Sequence, residues 1–137
     1  MLSRRAFVSA LSGVVLLACA PRQLWGAVQR RGRQLHPDPR PGITAANVLT
    51  HEQLASAPHA IDAFDLVREI PEIVDGIRCQ CGCADLPGFY SLLSCYESEG
   101  MARWCEICQG EGRLAARLHK AGRTLDEIRA AIDARFG

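Results

Sequence analysis

The sequence predicts a small all-α protein: a bundle of about four short helices around a cysteine-rich loop, preceded by a disordered tether. Apolar residues recur at helical spacing, and no run of alternating β-branched residues predicts a strand. The chain has 137 residues, of which 48% are hydrophobic and 23% charged. This is the composition of one globular domain, and it excludes a large multidomain enzyme.

The first 18 residues resemble an export signal. Arg4 and Arg5 precede a weakly apolar run that ends in Leu16-Leu17-Ala18-Cys19, similar to a twin-arginine signal peptide joined to a lipobox. The run has about 13 residues, fewer than the roughly 20 that a membrane-spanning helix needs. We therefore expect lipidation at Cys19 and a membrane anchor on the extracytoplasmic side, in the periplasm or at the cell surface. The alternative is a plain cleavable signal with an incidental cysteine.

Residues 19–59 are predicted to be a flexible tether, and residues 60–137 the folded domain. Between residues 20 and 42 there are five arginines, four prolines and one aspartate, a net charge of +4. Such a stretch buries too little apolar surface to fold alone. Residues 43–137 carry nine basic and fourteen acidic residues, a net charge of −5. The chain has no overall basic field, which argues against nucleic-acid binding.

Three helices are predicted before the cysteines. Thr50 and Gln53 have the spacing of a capping box that opens a short helix. A second helix begins near Ala60. Pro71 suits the first position of a third, which continues to Ile77, because its fixed φ matches a helix start.

Three more helices are predicted after the first cysteines. Ser91 can cap a helix that runs to Gly100, and the next begins near Cys105 or Cys108 and ends at Gly122. The last helix starts at a capping box of Thr124 and Glu127. Its apolar stripe consists of Leu125, Ile128, Ile132 and Phe136.

Six of the seven cysteines lie in a stretch of 30 residues, in three groups: Cys79, Cys81 and Cys83; Cys95; and Cys105 and Cys108. Cysteines at alternate positions cannot all point inward from one helix, since two residues turn the side chain by about 200°. A loop is required, and Gly82 gives its backbone the freedom to curl around a common centre.

Metal binding is the first use of these thiols. All six are predicted ligands of a cluster, because thiolates are soft ligands and six exceed the four of a tetrahedral zinc site. Cu(I) is the expected metal, with Zn(II) as the other candidate. Storage, buffering or delivery of the metal would then be the function, with a metal donor or acceptor protein of the cell envelope as partner.

Two other uses stay open. The six cysteines can pair into three disulfides that staple a structural or interaction domain. Alternatively, Cys105 and Cys108 form a CxxC pair for thiol–disulfide exchange. Residues 104–137 resemble the thiol oxidoreductase of cytochrome c maturation in this pair and the two helices after it. No other catalytic motif occurs in the sequence, so an enzymatic function depends on this pair alone.

A longer resemblance covers residues 70–137. Ile70-Pro71-Glu72-Ile73-Val74-Asp75, Cys79-Gln80-Cys81-Gly82-Cys83, Ser91-Leu92-Leu93-Ser94-Cys95 and Cys105-Glu106-Ile107-Cys108 are similar to the bacterial PCYCGC-motif lipoproteins. All six cysteines match that pattern, whereas Arg78 and Gln80 replace its proline and tyrosine. The resemblance implies an exported and usually lipidated small protein.

Of the other metal-binding residue types, the four histidines are scattered along the chain, and none is at ligand spacing from another. Met101 offers a thioether, which suits Cu(I), and a turn or core position explains it equally well.

Overall fold

The computed structural model of the protein describes residues 35–98 and 100–137. The predicted signal peptide and Cys19 lie outside the described residues. The described residues belong to one compact unit, Leu35–Gly137. Their regular structure is helical, and none of them forms a strand, which confirms the predicted all-α class. No helix among them is both long enough and apolar enough to cross a membrane.

The described part contains four α-helices and three short 3-10 helices. We number the α-helices α1 (Ile61–Glu69), α2 (Pro71–Asp75), α3 (Glu106–Lys120) and α4 (Leu125–Phe136). The 3-10 helices are Pro58–Ala60, Cys83–Asp85 and Leu92–Tyr96.

The boundaries of α1 and α2 follow from Pro71. The residue before a proline avoids the helical region, and Ile70 accordingly leaves it at φ −135° and ψ 45°. Pro71 then begins α2, as predicted. One face of α1 is buried through Ala63, Phe64 and Val67.

The segment after Thr50 forms turns where a short helix was expected. Both capping-box bonds are present, because Gln53 Oε1 accepts from the Thr50 N–H at 2.8 Å and Thr50 Oγ1 from the Gln53 N–H at 3.3 Å. The helical region ends within a few residues, since Pro58 keeps Ala57 out of it at φ −134°. The cap is therefore confirmed and the regular helix is not.

The folded unit begins earlier than the predicted boundary at residue 60. Residues 35–59, expected as part of a flexible tether, pack on the helices. Apolar side chains that follow the arginine- and proline-rich residues 20–42 enter the core, and those buried are Val48, Leu49, Leu54 and Ala57. Only residues 19–34 of the predicted tether lie outside the described part.

A buried ion pair holds this segment to α2. The side chain of Asp75 is fully buried, and it accepts hydrogen bonds from the Arg40 N–H at 2.8 Å and from Arg40 Nη2 and Ser91 Oγ, both at 2.7 Å. Burial raises the pKa of Asp75, but the bonds from Arg40 and Ser91 outweigh it, and the pKa lies below its ordinary value.

Helix α3 approaches the 3-10 helix Leu92–Tyr96 very closely. The buried Tyr96 hydroxyl donates to the carbonyl of Cys108 at 2.7 Å, and the ring packs edge-on against Phe64 at 4.7 Å between centroids. A Cβ atom at Gly112 would overlap this hydroxyl. The glycine is therefore what lets α3 lie against Tyr96.

Helix α4 begins at the predicted capping box. Thr124 accepts from the Glu127 N–H, and the Glu127 carboxylate accepts from the Thr124 N–H at 2.8 Å. Gly122 precedes it at φ +77°, a conformation that favours glycine. Ile128 and Ile132 are buried in the core.

Replacing Asp75 by Asn should destabilise the protein by about 2 to 3 kcal/mol at pH 7. This is less than the roughly 3 to 5 kcal/mol of a fully buried pair, because the Arg40 side chain is 41% exposed. A lowered carboxyl pKa contributes stability above the unfolded value and loses it as pH falls. The difference in stability between wild type and D75N in urea should therefore shrink as the pH falls below 3.8, the ordinary pKa of an aspartate, and vanish below the lower pKa of folded Asp75.

Asp62→Asn is the matched control. Asp62 also pairs with an arginine, Arg113, but its side chain is 62% exposed. Exposed pairs contribute about 0 to 1 kcal/mol. Equal losses in D62N and D75N at pH 7 would contradict the role of burial.

Replacing Gly112 by Ala should lower stability by about 1 to 2 kcal/mol. Overpacking costs about 1 to 3 kcal/mol, and the overlap with the Tyr96 hydroxyl places this site in the upper part of that range, at about 2 to 3 kcal/mol. The helix propensity of alanine offsets about 1 kcal/mol of this cost. Gly110→Ala, on the same helix, meets only the edge of the Phe136 ring at 3.0 Å near the chain end. G110A should thus match or exceed wild-type stability in thermal unfolding. A G112A variant as stable as G110A would contradict the close-packing argument.

Candidate metal centre

The first three cysteines lie on a tight loop, as the alternate spacing predicts. Gly82 has φ +91°, which an L side chain rarely adopts, and the backbone then enters the 3-10 helix Cys83–Asp85. The bend brings Cys79, Cys81 and Cys83 to one centre. Cys81 Sγ lies 3.2 Å from Cys79 Sγ and 2.7 Å from Cys83 Sγ.

Two further cysteines complete the cluster. Cys95 comes from the 3-10 helix Leu92–Tyr96 and Cys108 from the first turn of α3. Cys108 Sγ lies 3.5 Å from Cys79 Sγ and 3.4 Å from Cys81 Sγ. All the members of this five-sulfur cluster have their Sγ atoms within 4.8 Å of one another: Cys79, Cys81, Cys83, Cys95 and Cys108.

The distances between these sulfurs run from 2.7 Å to at most 4.8 Å, which brackets the spacing around a thiolate-bound metal. Four sulfurs at a metal–sulfur distance of about 2.3 Å stand about 3.8 Å apart around a tetrahedral ion. Four of the five residues are buried, and Cys81 is partly exposed. The cluster could therefore hold a metal ion on sulfur ligands.

Cys105, the sixth predicted ligand, is not part of the cluster. It precedes α3 in an extended conformation, at φ −99° and ψ 109°. Its side chain therefore does not follow the helical rotation that would bring residues three apart onto one face. Only Cys108 of the CxxC pair reaches the centre, and Cys105 stays partly buried beside it.

The cluster concentrates negative charge on one sulfur. Hydrogen bonds from Cys108 and Cys95 lower the pKa of Cys79 far below its ordinary value. The bond to Cys79 raises the pKa of Cys108, and burial raises that of Cys81. Without metal, the arrangement stabilises a thiolate at Cys79 by donation from thiols around it.

Glu111 supports the loop from inside α3. Its side chain is fully buried, and Oε1 accepts from the Gln80 N–H at 2.8 Å. Burial raises the pKa of Glu111 to about 9, and the charge of Cys79 adds to the rise. The carboxyl group is thus neutral at pH 7 while it positions the residue between Cys79 and Cys81.

Two distant segments hold the start of the same loop. His36 Nδ1 accepts from the Arg78 N–H at 2.9 Å, so the ring proton belongs on Nε2, which lies 3.1 Å from Asp133 Oδ1. Gln80 Nε2 donates to the same oxygen at 2.8 Å. His36 therefore holds the backbone before Cys79, and Asp133 holds the side chain of the residue after it.

Sequence reasoning missed Glu111 and His36 as supports of the site. Glu111 follows Cys108 by three residues, so helical periodicity places both on one face of α3. That spacing could have identified Glu111 as a neighbour of the cysteine cluster from the sequence. The contact of His36 with Arg78 spans 42 residues and has no local signature.

Comparisons with protein-family models, with curated proteins and with solved structures found no match to this chain.

Replacing Glu111 by Ala should weaken metal binding, because the Gln80 N–H loses its buried acceptor and the loop is released. Loss of such a supporting contact costs about 10- to 100-fold in metal affinity. Glu111→Gln keeps an acceptor oxygen and should stay within about threefold of wild type. Competition with a chromophoric chelator measures both affinities under anaerobic conditions. Equal affinities for E111A and wild type would contradict the supporting role.

Proposed function

We propose that the protein binds Cu(I) through a thiolate cluster and stores, buffers or delivers it. The observation that carries the proposal is the convergence of five Sγ atoms within 4.8 Å, four of them on buried residues. Packing alone would tolerate one or two thiols at such a point. Five soft donor atoms at a single centre are typical of soft-metal binding.

The composition of the donor set favours Cu(I) over Zn(II). The group brought together contains cysteine sulfurs and no imidazole or carboxylate. A structural zinc ion uses four ligands, so a fifth thiolate would remain idle. Cu(I) is satisfied by two or three thiolates, and sulfurs that bridge neighbouring ions would employ all five.

The negative charge of the cluster is consistent with binding of a metal cation. The metal-free cluster stabilises a thiolate at Cys79, and each further thiol that becomes a ligand must release its proton. Univalent ions then neutralise the thiolates inside a largely buried site. Once the ligands have lost their protons, the desolvated thiolates would repel one another, and the bound ions offset that repulsion.

The proposal includes export of the protein and a lipid anchor, both of which are supported by the sequence. The Arg4-Arg5 pair favours the twin-arginine route, which carries folded proteins and so suits a chain loaded with metal beforehand. Cys19 would anchor the mature chain to the membrane. The resemblance of residues 70–137 to PCYCGC-motif lipoproteins supports the same location, where a metal donor or acceptor of the envelope would be the partner.

Thiol–disulfide exchange is a second candidate, favoured by the position of Cys105. This residue is partly exposed immediately before the fifteen-residue α3, and Cys108, three residues later, is buried. Cys105 would attack a substrate disulfide, and Cys108 would then release the substrate. The substrate gains two thiols as Cys105 and Cys108 form a disulfide.

The metal content of the protein tests the proposal. We expect anaerobic purification from the native envelope to yield more than one copper ion per chain and less zinc or iron. Intact mass after thiol blocking should show free thiols once the metal is removed. Three disulfides with no metal would contradict the proposal and favour the stapled domain.

Cys81→Ser and Cys105→Ser form a matched pair for the two candidates. C81S should lower the copper content, and C105S should leave it near wild type, because only Cys81 belongs to the five-sulfur cluster. In a disulfide-reduction assay, selective loss of activity in C105S would instead support exchange chemistry.

A further inference from the structure

Met101 lies at the edge of the five-sulfur cluster on a firmly held turn. Its carbonyl accepts from the Trp104 and Cys105 N–H groups, both at 2.9 Å. The next residue, Ala102, donates its N–H to the carbonyl of Cys95 at 3.0 Å. The backbone around Met101 is therefore tied to one cysteine of the cluster and to the helix that carries another.

The Met101 side chain points its sulfur at the cluster. Sδ lies 3.3 Å from Cys83 Sγ, although the residue is 48% exposed. Apolar burial accounts poorly for this position, because half of the side chain remains in water. Cys83, in contrast, is 2% exposed. The thioether is thus the outermost sulfur in contact with the buried set.

We propose that Met101 Sδ is a further metal ligand and makes the centre select Cu(I) over Zn(II). This inference rests on the proposed function, since it assigns a role at the same site. A copper ion at the outer edge would be held by Met101 and Cys83. Cys81, whose Sγ is 2.7 Å from Cys83 Sγ, would be the third ligand.

Ligand chemistry gives the selectivity. Zinc sites in proteins use thiolate, imidazole and carboxylate ligands, whereas Cu(I) also accepts the neutral thioether of methionine. A thioether has no proton to lose, so it would bind without adding negative charge to a metal site whose other ligands are thiolates. It therefore strengthens binding of a univalent soft ion and contributes little to a zinc site.

Selenium X-ray absorption of the selenomethionine-labelled protein tests the proposal directly. The chain contains two methionines, so Met101→Leu leaves only Met1. After loading with Cu(I) alone, we expect a copper neighbour bonded to selenium in the wild type and none in M101L. The same protein loaded with Zn(II) alone should show no metal–selenium bond.

Affinities measured by competition provide the second readout. M101L should bind Cu(I) about tenfold more weakly, at the low end of the loss for a contact at a metal site, with Zn(II) affinity unchanged. Ile107→Leu is the control, because Ile107 is similarly exposed at 41% and precedes Cys108. I107L should bind both metals like the wild type, and circular dichroism should show all three proteins folded.

The outcomes separate this inference from the proposed function. Copper bound without a copper–selenium bond, or with equal affinity in M101L, would overturn the role of Met101 and leave the thiolate cluster intact. If the affinity for Zn(II) fell in M101L as much as the affinity for Cu(I), the proposed role of Met101 in metal selectivity would be overturned. A wild type that retains no Cu(I) would overturn both proposals.

Discussion

The close approach of α3 to the 3-10 helix Leu92–Tyr96 is the constraint on which the candidate site depends. Gly112 removes the side chain that would keep the two apart, and the Tyr96 hydroxyl closes the gap with a hydrogen bond to the Cys108 carbonyl. Tyr96 follows Cys95 directly, so one contact brings together cysteines thirteen residues apart in sequence. The same contact therefore packs α3 against the 3-10 helix and brings two of the cluster's sulfurs together.

The loop with the other three sulfurs depends on polar contacts of longer range. Glu111 from α3, Asp133 from α4 and His36 near the start of the described chain all bind the loop around Cys79. Each contact is made within the folded unit and would be lost on unfolding. Because a metal bound there stabilises the folded state alone, its binding free energy adds to folding stability.

Local sequence signals predicted much of the fold, since caps and prolines act on their immediate neighbours. Thr124 with Glu127 and Pro71 mark helix starts that the structure confirms. The alternate cysteines and Gly82 predicted the loop for the same reason. The packing of residues 35–59 was not predicted, because residues 20–42 are rich in arginine and proline and the apolar side chains that follow them are few. The contact of Arg40 with the buried Asp75 also spans 35 residues.

The position of Cys105 shows why spacing alone does not define a ligand set. Its distance of three residues from Cys108 suits a shared helix face, yet α3 begins only at Glu106, so the helical relation does not apply. Burial of Glu111 and the sulfur contact of Met101 likewise arise from tertiary packing. The site has a buried thiol core with two sulfur-bearing residues at its edges, Cys105 and Met101.

Copper X-ray absorption of the anaerobically loaded wild-type protein would identify the ligands of the bound metal. We expect Cu(I) with sulfur alone in the first coordination shell and a neighbouring copper in the second. Nitrogen or oxygen ligands in the first shell would contradict this expectation, as would a single isolated copper ion bound outside the five-sulfur cluster.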